Sequence, residues 1–208
     1  MGAPFPPNFF DRADAGPDRD FYAEPRFVQH MDPTAEQAVA DLYEDLEIDG
    51  RVLDLFAAWA SHFTLAPDEL VGLGMNEEEL AANAALSEWL VQDLNEKPEL
   101  PFPDARFDDV VCSSGVDYLT RPLEVFAEVA RVVRPGGRFV CTFTDRCFPS
   151  KAIRGWLNTD SGGHVRIVRR YFELTPGFES AQSDLRTSLS GTGDALWAVW
   201  AATASGGR

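Results

Sequence analysis

The stretch "LPFPDARFDDVVCSSGVDYLTRPLEVFAEVARVVRPGGRFVCTF", Leu100 to Phe143, decides how this chain is read. Inside it, "FDDVVCSSG" is a continuous apolar run, the pattern of a strand covered on both faces. Pro122 opens a helix with Leu123, Phe126, Ala130 and Val133 on one side. Arg134-Pro135-Gly136-Gly137 is a helix stop followed by a tight turn, and "RFVCTFT" is the next strand. Strand, helix and strand in succession form the crossover unit of a parallel sheet.

The same alternation extends outward. Upstream, "RVLDLF" reads as strand one, with a short helix around Ala58 to Phe63, and "ELVGLG" as strand two. Asn76, with Glu79 three residues on, forms a capping box for the helix "EEELAANAAL", and "EWLVQDL" is strand three. Nearer the N-terminus, Asp32 caps a helix that has Pro33 at its first position and Ala35, Val39, Leu42 and Leu46 along one stripe. Downstream, Lys151 to Phe172 contains a helix. The runs "FESAQSDLRTSL" and "DALWAVWAATA" flank Ser190 to Gly193 as an antiparallel hairpin. The expected fold is α/β, a doubly wound and mostly parallel sheet with helices on both faces. Ligands in such sheets bind at the carboxyl ends of the central strands. Residues 1–20, rich in Pro, Gly and Asp, read as a flexible arm. Residues 21–208 read as one domain with a helical lid over 21–48.

The chain of 208 residues carries a net charge of −16, with 34 acidic side chains against 18 basic ones. Phosphates would be repelled, which argues against nucleic acid or an anionic membrane as partner. No run is long and apolar enough for a membrane helix, and "MGAPFP" has Pro where a myristoylation signal needs Ser or Thr. Only Lys97 and Lys151 are lysines. An acid-rich, lysine-poor surface suits a salt-rich cytoplasm, where screening relieves self-repulsion, and a GC-rich genome is the alternative source of the Arg bias. Cys112, Cys141 and Cys147 form no metal-ligand spacing, and none is expected to hold a metal.

Taken together, residues 48 to 204 resemble the class I S-adenosylmethionine-dependent methyltransferases, in particular the methyltransferase-11-like group. The pattern from Leu100 to Phe143 carries most of the resemblance. "RVLDL", "VGLGMNEEEL" and "VQDLN" are similar to the family's three cofactor-contacting segments. The resemblance implies seven strands in the order 3-2-1-4-5-7-6, strand seven antiparallel, with S-adenosylmethionine as cofactor. It assigns Asp54 to organising the turn around the methionine part, and Asp93 with the Leu94 N–H to the adenine edge. The end of strand four, Ser113 to Gly115, faces the methyl and methionine groups. The sequence departs from the family in two places. The glycines usual after strand one are missing, with Ala57, Ala58 and Trp59 standing there instead, and the ribose carboxylate after strand two is replaced by Gly74, Met75 and Asn76. Ala57 and Ala58 still permit fairly close approach, Asn76 or a backbone group near Gly74 is positioned to bond the ribose, and Met75 to pack on adenine. "DLFAAWASHF" resembles a subgroup turn in which Trp59, Ser61 and His62 substitute for the glycines.

Methyl transfer needs proximity and orientation more than a catalytic triad, and no triad is present. The arm places Tyr22, Arg26 and His30 four residues apart, on one side if helical. Arg26 then pairs with a carboxylate of cofactor or substrate, and His30 serves as a base. Tyr118 lines the pocket and shields the methyl group, and Arg146 contacts an anion. The expected activity is methyl transfer to a small-molecule acceptor. The alternatives are a non-catalytic module of the same fold acting through a protein partner, and a nicotinamide oxidoreductase. The latter lacks the glycine fingerprint and fits the final hairpin poorly.

Overall fold

The computed structural model describes residues 4–188 and 193–205. Its sheet has seven strands in the order β3-β2-β1-β4-β5-β7-β6. The strands are β1 (Arg51–Leu55), β2 (Glu69–Gly74), β3 (Glu88–Val91), β4 (Phe107–Ser113), β5 (Val133–Phe143), β6 (Gln182–Leu185) and β7 (Trp197–Ala202). β1 pairs in parallel with β2 and with β4, and β5 pairs with β7 antiparallel. The expected sheet order is therefore the observed one. Three of the four residues proposed for the closing turn, Ser190 to Thr192, lie outside the described residues.

Side chains alternate along each strand, so one strand feeds two cores. Leu53, Val71, Val110 and Phe139 pack under helices α4 (Pro122–Val132) and α6 (Ser161–Leu174), through Phe126, Val129, Val168 and Tyr171. Their strand neighbours Val52, Leu70, Val111 and Val140 pack under α2 (Pro33–Asp45), through Ala35, Val39 and Leu42. The Asp32 carboxylate accepts hydrogen bonds from Thr34 and Ala35 N–H, a cap that contributes about 1 kcal/mol. β1, buried on both faces, delivers Asp54 to the carboxyl edge of the sheet, where the next loop must turn.

Several elements differ from expectation. No helix forms over 58–63. That segment is an irregular turn whose polar groups bond to other parts of the chain. α3 (Glu77–Ala82) stops early because Asn83 leaves the helical backbone and turns its amide toward that loop. Nor is there a helix carrying Tyr22, Arg26 and His30. α1 (Asp18–Phe21) ends before them, and Pro25 sits in the non-helical segment that follows.

The N-terminal arm is not loose either. Phe5 and Phe10 pack on Tyr171, with ring centroids 5.6 and 6.4 Å apart. Arg154 and Gly155 N–H donate to the Asp11 and Phe9 carbonyls. Gly155 has to be glycine here, since a Cβ would lie 2.3 Å from the Phe9 ring. Lys151, from the segment after β5, is buried and reaches Asp14 at 2.9 Å and Asp18 at 3.1 Å. Asp18 also pairs with Arg12 and accepts from Asn95. A proline- and aspartate-rich stretch is thus held by an aromatic cluster and a buried ion network that composition alone does not reveal.

Candidate functional site

Above the carboxyl ends of β1, β2 and β4 lies a cavity of about 360 Å³. Sites for small ligands commonly measure about 300–1,000 Å³. Its floor is made by Asp54, Ala57, Ala58, Met75 and Ser113. The loop after β5 adds Arg146, Cys147 and Phe148, and the arm adds Tyr22, Arg26 and His30. Eleven of the fourteen site residues named from sequence therefore converge on one space, counting Asn76 and Tyr118. The arm residues reach it from an irregular segment instead of from a helix face. Gly74, Asp93 and Leu94 do not line it.

The turn after β1 is held from four sides. Ala57 N–H donates to the Leu73 carbonyl, and the Ala57 carbonyl lies so near β2 that a Cβ on Gly74 would be 2.1 Å away. Ser61 Oγ donates to Asp54 at 3.3 Å. Asn83 Nδ2 donates to the Ala58 carbonyl and to Ser61 Oγ, and Trp59 Nε1 donates to the Val28 carbonyl. The Trp-Ser-His segment therefore works as a built turn, with His62 presented to the cavity. Phe56 adopts φ +61°, a left-handed backbone that favours glycine. Its ring lies over the tip of β4, where a Cβ on Gly115 would be only 2.4 Å from it.

Electrostatics separate the titratable groups. Burial pushes the Asp54 carboxyl up to about 7, with the Ser61 hydroxyl opposing. Burial, then the neighbouring His30, pulls His62 down to about 4, so that ring is neutral at pH 7. His30 is lowered by partial burial, with Glu79 opposing. Burial raises the Tyr118 phenol, whose oxygen already accepts from Phe148 N–H, so this group is a wall and an unfavourable base. The Cys147 thiol is raised to about 11 by burial and stays protonated.

Three proposed contacts have other partners. Asn76 has both amide hydrogens in use, Nδ2 donating to the Tyr22 and Ala23 carbonyls while Oδ1 caps α3 at Glu79, so it has no donor left for a ribose. Asp93 Oδ1 accepts from Asn95 and Glu96 N–H. Arg146 is paired with Asp194 at 2.8 Å. Sequence reasoning missed one group. Glu79, read only as a capping residue, also lines the cavity. Ser114 Oγ lines it too and is buried with no hydrogen-bond partner. The +55° φ of Ser114, which orients it, leaves no trace in the sequence.

The seven-stranded order and a cavity over the strand tips define a Rossmann-like methyltransferase architecture. Residues 50–141 match the methyltransferase-11 family, described as a methyltransferase domain. Across 130 residues the chain is 28% identical to the methyltransferase GfsG of Streptomyces halstedii, covering 57% of this chain and 47% of that protein. Across 95 residues it is 36% identical to a malonyl-acyl-carrier-protein O-methyltransferase of Hahella chejuensis, covering 44% and 32%. The chain thus spans less than half the length of these two relatives. A Thermotoga maritima S-adenosylmethionine-dependent methyltransferase superposes with a TM-score of 0.57 at 15% identity, over 81% of this chain and 88% of that one. Over residues 50–141 the chain matches a methyltransferase domain, and that family implies S-adenosylmethionine as methyl donor.

The residues present fit that donor in part. The main cavity has the volume, and the unpartnered Ser114 hydroxyl is a polar atom awaiting a partner. The slot lined by Gly74, Met75, Asp93 and Leu94, where the resemblance places adenine, measures only about 20 Å³. That is room for one water. Asp18 and Tyr22 of the arm, with Phe56 and Tyr118, form its other walls. Phe56 lines both spaces, together with Tyr22, Met75 and Tyr118. Phe56→Gly is expected to join them and to relieve a left-handed residue. S-adenosylhomocysteine binding should tighten by about tenfold, that is about 1.4 kcal/mol, even as melting temperature falls with the lost packing. Calorimetry on parent and variant checks this, and unchanged affinity would clear the ring of any obstructing role.

Proposed function

We propose that this chain is an enzyme that transfers a methyl group from S-adenosylmethionine to a small molecule held in the main cavity. One observation carries the reading. The cavity connects the family's donor segment, at Asp54 and Ser113, with arm and loop residues able to hold a second molecule. Asp54, the backbone of Ala57 and Ala58, Met75, Ser113 and Ser114 would hold the donor, with Glu79 nearest to the missing ribose carboxylate. Asp93 and Leu94 would take the adenine edge once Asp18 and Tyr22 withdraw. The bound donor supplies an activated methyl group. The chain's own contribution is alignment and exclusion of water by Trp59, Tyr118 and Phe148. The neutral ring of His62, with His30 beside it, is placed to receive a proton from an acceptor that enters protonated. The acidic, lysine-poor composition suits a cytoplasmic protein of a salt-rich cell.

Calorimetry with S-adenosylmethionine and S-adenosylhomocysteine is expected to give one saturable site, weakened by about 1–3 kcal/mol in Asp54→Ala. No heat and no thermal shift with either ligand at about millimolar concentration, far above the range of functional affinities, would assign the chain to the non-catalytic alternative.

A further inference from the structure

Arg26 presents an unresolved charge in a molecule with an excess of carboxylates. Its Nη2 donates to the Phe21 carbonyl at 2.6 Å, while Nη1 is shielded from solvent and has no hydrogen-bond partner. Among the described residues the guanidinium forms no ion pair, although the chain has 34 acidic side chains against 18 basic ones. Glu79 accepts from the Arg26 backbone N–H and not from its side chain. Leaving a guanidinium hydrogen buried and unpaired is costly, so such a group is a place for an anion that the chain itself does not supply.

The surroundings point to the occupant. The guanidinium carbon is 4.5 Å from the Phe21 ring centroid and 5.6 Å from those of Tyr22 and Phe148. These rings hold the cation in a fixed plane. They belong to the arm and to the loop after β5, not to the strand tips that would hold the donor. The cavity also passes Val28 and Trp59. Trp59 packs edge-on against Phe27, and Phe27 and Val28 are both 52% exposed, an apolar rim. Arg146, the other cation at the cavity, is already neutralised by Asp194.

Resting on the methyltransferase reading above, we propose that the acceptor is a carboxylate with a flat apolar body, anchored at Arg26 Nη1 and enclosed by Tyr22, Trp59 and Phe148. The donor's own amino-acid carboxylate shares this chemistry, so the test separates the two sources. Full-length protein saturated with S-adenosylhomocysteine is titrated with benzoate and, in parallel, with uncharged benzamide, followed by tryptophan fluorescence and thermal shift. Benzoate is expected to bind about tenfold or more tightly than benzamide, and Arg26→Gln to bring the two together while Arg26→Lys keeps part of the difference. Binding of S-adenosylhomocysteine and of methylthioadenosine, which lacks the amino acid, should change little in Arg26→Gln. Equal binding of benzoate and benzamide to the parent overturns the proposal. So does an Arg26→Gln variant that loses S-adenosylhomocysteine but keeps methylthioadenosine, because the guanidinium would then serve the donor. If S-adenosylhomocysteine never binds, the methyltransferase reading fails by itself, and the benzoate and benzamide titrations of the unloaded protein still decide the anion subsite.

Discussion

Asp117→Asn is expected to be more stable than the parent chain at pH 8, by roughly 4 kcal/mol relative to the difference between them at pH 4. Asp117 is buried in the turn at Val116–Tyr118, and its Oδ2 has no hydrogen-bond partner. Burial pushes its carboxyl from 3.8 up to about 7, opposed by its own backbone N–H and by Tyr118. The folded chain thus binds a proton more tightly than the unfolded chain does. Between these two values the folded state carries more protons, so stability falls as pH rises through the window and is level above it. The amide mimics the neutral carboxyl and cannot ionise, which removes this dependence. Asp54, also raised to about 7, should leave a second pH-dependent loss of similar size in the variant. Urea unfolding across this pH range measures both. Parallel stability profiles for parent and Asp117→Asn would show that Asp117 is ionised without penalty.

The second large effect is at Lys151. Lys151→Ala is expected to cost about 3–5 kcal/mol, the scale for removing one partner from a buried ion network. The lower end is the better guide, because Asp14 is half exposed and can rehydrate, and Asp18 keeps Arg12. Lys151 Nζ also donates to the Gly16 carbonyl at 3.0 Å, so one side chain holds three points of the arm. Losing it should free Asp18 and Tyr22 from the narrow slot beside Asp93. Denaturant titration and limited proteolysis within residues 4–20 follow the two consequences. A variant of unchanged stability with an arm still resistant to protease would show that the aromatic cluster alone seats it.

The sheet was legible in the sequence because burial on two faces writes long apolar runs, and "FDDVVCSSG" or "ELVGLG" can do little else. Turns and loops were legible only where a residue type forces the backbone. Arg134-Pro135-Gly136-Gly137 read as a turn before the strand, yet β5 already starts at Val133, its pairing with β4 irregular over this stretch. The helix expected around Ala58 fails because its neighbourhood offers better partners: besides the nearby Asp54, Asn83 and the Val28 carbonyl lie far along the chain and give no local signal. The arm was misread for the opposite reason. Its Pro, Gly and Asp content suggested looseness, while Phe5, Phe9 and Phe10 were the feature that mattered. At the site, the residues around Asp54 were found through resemblance, and long-range contacts then decided which were free to act. Both Asn76 amide hydrogens turned out to be engaged, while Arg26 Nη1 has no partner.

The burial of Lys151 leaves Lys97 as the one lysine side chain exposed in the folded protein. An acylating dye or an amine-directed crosslinker applied to the native chain therefore has almost nowhere to react on side chains. Acylation at Lys151 would register each lifting of the arm, which gives this molecule a built-in chemical reporter of whether its cleft is shut.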